Sequence, residues 1–148
     1  MLKSLTAQKD AIHLTIMNEE KIGILIKYWL EGSEEDFDTM KILFLNKKYV
    51  YALFFLHLTF EKLLKALFVK TFKTQAPITH NLINLLEKLD PEILLLHEKF
   101  LSTLMPYCIE ARYPESKVLL YKNTTRDLVT SLLNQSEELK AWITTKLL

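Results

Sequence analysis

Residues 54–70 read FFLHLTFEKLLKALFVK, and this stretch constrains the fold more than any other. It is apolar nearly all round, the composition of a helix packed on several sides. Three polar residues, His57, Glu61 and Lys65, stand at four-residue intervals within it. That spacing puts them on one line along a helix. A solvated strip would account for the charges. It would not account for Phe54, Leu64 and Phe68 crowding the flanks, so a partly buried polar site is expected.

The rest of the chain agrees with a helical fold. Gly23 and Gly32 are the only glycines in 148 residues, too few for the turns of a strand-rich protein. From Met17 to Asn46 a helical stripe is formed by Ile22, Leu25, Ile26, Trp29, Phe37, Met40, Leu43 and Phe44. Gly32 and Ser33 are expected to bend this segment or split it, and Asp36 projects close to its apolar face. "NKKY" (46–49) reads as a tight turn before a helix from about Tyr49 to Thr71. A loop holding Pro77 leads to a short helix, Asn81 to Lys88, capped by Thr79 in preference to Asn81. "DPE" at 90–92 is a strong helix start. That helix is expected to kink at Pro106 and to end before Pro114. Thr124 or Thr125 caps a last helix with the stripe Leu128, Leu132, Leu139, Trp142 and Ile143. The expected fold class is all-α, a bundle of about five helices over residues 17–148, preceded by a leader or a short helix at 1–16.

Hydrophobic residues make up 49% and charged residues 25% of the chain, which excludes disorder. A net charge of +1 argues against a wholly basic nucleic-acid surface while leaving room for local patches. Cys108 is the only cysteine, so no intramolecular disulfide forms and a reducing cytoplasm is the expected setting. No secretion signal is read at the start, and the apolar run 49–60 is too short to cross a bilayer.

Several chemistries lack their residues. No glycine-rich phosphate loop, nucleophile elbow or HExxH motif occurs, and His13, His57, His80 and His97 are scattered. No metal, no cofactor and no catalytic residue is therefore assigned. Cys108 lies in an apolar run and reads as inert core rather than as a nucleophile.

Three short pieces remain. In "FEKLLKAL" Glu61 and Lys65 can pair, while Lys62 points elsewhere. In "THNL" (79–82) His80 and Asn81 stand at a helix start, where free backbone N–H groups attract anions. In "EARYP" (110–114) Glu110 and Arg112 precede Tyr113 beside a rigid turn. Arginine there can fork onto phosphate and tyrosine can stack on a base.

With Trp29 and Asp36 ahead of them, "YALFFLHLTFEKLLKAL", "THNL" and "ARYP" occur in an order that resembles the HEPN family, over roughly Asn18 to Trp142. The resemblance implies an up-and-down helical bundle, commonly a homodimer, often encoded beside a nucleotidyltransferase-type partner. Many members are ribonucleases that carry an arginine followed four to six residues later by a histidine. Here no histidine follows Arg112. The expectation is thus a non-catalytic module that binds a nucleotide or RNA through Arg112, Tyr113, Lys62, Lys65, His80 and Asn81. Asp36, His57, Glu61 and Glu110 would line a shared polar cleft, and the pair with its partner would resemble a toxin–antitoxin system. Two alternatives stand beside it. One is a metal-independent ribonuclease toxin in which His57 or His80 is the base, and the other is a dimerisation scaffold without a ligand.

Overall fold

The computed structural model describes residues 17–109 and 113–148, and every regular element among them is helical. The predicted leader at 1–16 and two predicted site residues, Glu110 and Arg112, lie outside the described residues. Six helices of eight or more residues and one four-residue turn of helix follow in order. They are α1 (Glu19–Leu45), α2 (Tyr49–Phe72), α3 (Leu82–Leu89), α4 (Pro91–Leu104), the short α5 (Pro106–Ile109), α6 (Pro114–Asn123) and α7 (Arg126–Leu147).

Local chemistry sets most of the boundaries. Asn18 caps α1 by accepting a hydrogen bond from the Lys21 amide at 2.9 Å, and Glu19 and Glu20 occupy the first turn, where the helix dipole favours anions. Lys47 takes φ 61°, the left-handed turn that reverses the chain into α2. Asp90 caps α4 through the amides of Glu92 and Ile93, both at 3.1 Å. Thr125, not Thr124, caps α7, accepting from the Leu128 amide at 3.2 Å. Asn81 is likewise the cap of α3, accepting from the Asn84 amide at 3.0 Å, while Thr79 accepts from Asn81 itself.

The α1–α2 hairpin is the base of the bundle. α2 is its central helix, in contact with α1, α3, α4, α5, α6 and α7. That many neighbours requires apolar residues on most sides, and Leu53, Leu56, Phe60 and Leu64 are each fully buried. Met40 of α1, Leu101 of α4 and Leu139 of α7 close around them in one core.

Three expectations change. α1 runs unbroken through Gly32 and Ser33, with the Ser33 hydroxyl donating to the Leu30 carbonyl at 2.7 Å within the helix. Pro106 ends α4 rather than kinking it, and the chain restarts as α5. Residues 114–123, for which no helix is expected, form α6. Pro114 stands in the first turn of α6, the position that tolerates a missing N–H. Its apolar residues follow no clear stripe, so hydrophobic periodicity gives no signal there. No helix among the described residues is long and apolar enough to cross a membrane.

Candidate functional site

The line His57–Glu61–Lys65 lies at the heart of the bundle and not on its outside. His57 is 0% exposed, and Glu61 and Lys65 are 6% exposed each. Both Glu61 oxygens have partners. Lys65 Nζ donates to Oε1 at 2.9 Å, and His80 Nδ1 lies 2.9 Å from Oε2. His57 Nδ1 is 3.8 Å from the same Oε2. Burial alone would push the Glu61 carboxyl up. The hydrogen bonds and charges of Lys65 and His80 outweigh it and hold the group below its ordinary value. The Lys65 ammonium also sits 5.2 Å from the ring centre of Trp29, a cation–π contact.

A second ion pair lies one residue along. Lys62 Nζ approaches Asp36 Oδ2 at 2.6 Å, outside hydrogen-bonding angles, so the contact is ionic. Gly32 makes the crossing possible: a Cβ there would stand 3.0 Å from Lys62 Cδ. The glycine expected to bend α1 instead leaves a groove for the Lys62 stem. Tyr28, Glu31, Gly32, Glu35 and Lys62 line a cleft of about 300 Å³ at this place. Two glutamates on its wall make it a poor seat for an anion.

The structure therefore brings His57, Glu61, Lys65 and His80 into one cluster and pairs Asp36 with Lys62 beside it. Asn81 serves as a helix cap. Tyr113 is 59% exposed at the start of α6. His80, at 56% side-chain exposure, is the member of the Glu61 cluster that solvent reaches. Arg112 and Glu110 are outside the described residues.

Two features were not read from the sequence. The donor atoms of His57, Glu61 and Cys108 lie within 4.8 Å of one another, all three residues buried. They offer three corners of a metal site, although Lys65 already balances the charge of Glu61. Cys108 is distant in sequence, so no local spacing could reveal the set. A cavity of about 430 Å³ lies between α1, α2 and α7, lined among others by Leu30, Phe37, Thr59 and Lys140. It contains none of the predicted site residues. Lys140 Nζ stands 3.3 Å from the Phe37 ring centre. Burial, with the nearby charge of Lys41, pulls its ammonium below the ordinary lysine range.

No curated protein and no solved structure is significantly similar to the chain. The HEPN domain model matches residues 26–147, which takes in the α1–α2 hairpin, the Glu61 cluster and all of α6, and the chain belongs to the HEPN family.

Proposed function

We propose that this protein is a nucleotide- or RNA-binding module that does not cleave its ligand and works as a homodimer with a nucleotidyltransferase-type partner, in a toxin–antitoxin-like pair. The observation that carries the reading is membership, over nearly the whole chain, of a family generally tied to nucleotides and RNA. Internal ion pairing narrows which residues hold the phosphate. Lys62 and Lys65 are neutralised by Asp36 and Glu61. Phosphate recognition then falls to Arg112, with Tyr113 stacking on the base and His80 at the open edge of the Glu61 cluster. The absence of a histidine after Arg112 supports binding without cleavage. Titration of labelled RNA and of nucleotides against wild type and Arg112→Ala tests this, and equal affinity of the two proteins would overturn the assignment of Arg112.

One observation favours a second reading, the metal-independent ribonuclease. His80 is half exposed and hydrogen-bonded to a carboxylate that stays ionised. A carboxylate that orients an imidazole makes a general base for a 2′-hydroxyl. Cleavage of total RNA in EDTA, lost in both His80→Gln and Arg112→Ala, would establish it. Intact RNA with the wild-type protein would remove it. A ligand-free scaffold requires that a dimer forms while RNA and nucleotides fail to bind.

A further inference from the structure

The Glu61 cluster is internal, but the cations left over are not evenly spread. Residues 44–51 (FLNKKYVY) and 117–126 (KVLLYKNTTR) together hold five cations and no carboxylate, in a chain of net charge +1. The fold brings these two segments together at one end of the bundle. Lys117 Nζ donates to the Tyr51 hydroxyl at 2.6 Å and lies 5.0 and 5.7 Å from the ring centres of Tyr51 and Tyr121. The two tyrosine rings meet edge to face at 6.3 Å. Arg126, at the start of α7, sits 5.9 Å from the ring of Phe44 at the end of α1. Lys48 is close enough for its charge to act on the Tyr51 hydroxyl.

Lys117 and Tyr121 stand four residues apart on one line of α6, and Tyr113, the extended N-cap of that helix, precedes Lys117 by the same interval; these three make the stripe. The stripe starts at the ARYP segment and runs toward Arg126. Tyr113 is 59%, Tyr121 47% and Tyr51 37% exposed, so solvent reaches all three rings. Glu115 and Asp127 flank the second segment, and Glu115, two residues before Lys117, lies off the four-residue line of the stripe.

We propose that this stripe, with Tyr51 beside it and Lys48 and Arg126 at its far end, is a track for single-stranded nucleic acid. Bases stack on the tyrosines while the lysines and the arginine neutralise successive phosphates. Aromatic faces interleaved with cations are what such a ligand requires, because every base has a stacking face and every nucleotide a charge. The track adds to the phosphate and base recognition proposed above for Arg112 and Tyr113 and rests on that reading for its ligand class. It adds a second, separately testable set of residues. Lys117 is held in place by Tyr51, so the cation is positioned before a ligand arrives.

The test is fluorescence anisotropy of the full chain with labelled oligouridylate and, in parallel, oligodeoxythymidylate. Tyr121→Ala is expected to weaken binding about 5- to 150-fold, the range for loss of one stacked base, while Tyr121→Phe binds like wild type. Lys117→Gln is expected to lower the slope of log affinity against log salt by about 0.7, the loss of one phosphate contact. Equal affinity for the two oligonucleotides supports recognition of the shared backbone and bases; preference for RNA supports the track with an added 2′-hydroxyl contact. Wild-type-like binding by Tyr121→Ala and Lys117→Gln, with Arg112→Ala impaired, overturns the track and leaves the proposed function standing. Failure of the wild type to bind either oligonucleotide at low salt overturns both. Unchanged circular dichroism of the variants, expected for exposed side chains, separates lost binding from lost folding.

Discussion

At the scale of single residues, Glu61 decides the most. Its carboxylate lies in the interior with Lys65 on one oxygen and His80 near the other. Burial opposes its charge and the two partners restore it, so the folded protein holds the group below its ordinary value. The sign follows directly: this contribution is complete above the unfolded glutamate value of about 4.3 and is lost as pH falls through the depressed folded value. Chemical denaturation from pH 6 downward should therefore show stability falling more steeply below about pH 4.3 in wild type than in Glu61→Gln. At neutral pH Glu61→Ala should cost about 3–5 kcal/mol, because it strands the buried Lys65 ammonium. Replacing both partners with Glu61→Leu and Lys65→Met should recover most of that loss. The pairing of Glu61 with Lys65 could be read from their spacing. The contact with His80 could not, because a loop brings it in from 19 residues away.

Among the elements, α1 and α3 hold the instructive differences. Gly32 looked like a helix breaker, yet α1 passes through it and the missing Cβ makes way for the Lys62 stem on its path to Asp36. Gly32→Ala alone should change stability little, since a gain of up to about 1 kcal/mol in helix propensity is offset by displacement of Lys62. In a Lys62→Ala background the same change should stabilise by about 1 kcal/mol, and a thermal-melt double-mutant cycle would read the coupling. In α3, Asn81→Ala should cost about 1 kcal/mol as the loss of the cap, and more than Thr79→Ala. The appearance of α6 has a different lesson. Proline at its first position and charges along its length gave no apolar period to detect, and its tyrosines have meaning only once α2 stands beside them.

The whole molecule is organised around α2. Phe60 is fully buried and meets Phe100 of α4 edge to face at 5.3 Å. Phe60→Ala should cost about 3–5 kcal/mol in denaturant unfolding. Because the core is continuous, helicity and the fluorescence of Trp29 in α1 and Trp142 in α7 should change together in that experiment. Separate transitions would show that the bundle has more than one cooperative unit. Local sequence signals were enough to make this chain a helical bundle with a polar line expected to be partly buried, and full burial of that line came from the packing around α2. Hydrophobic period, scarce glycine and cap residues act locally, within a few residues of the chain. The sequence also supplied the motif order that identifies the family. Which charges pair inside the bundle depended on the packing of the helices. Lys62 and Lys65 are drawn inward by carboxylates of α1 and α2, whereas the cations of the α1–α2 turn, α6 and the start of α7 converge at one end. Charge pairing depends on distances between helices, and those distances are set by packing the core.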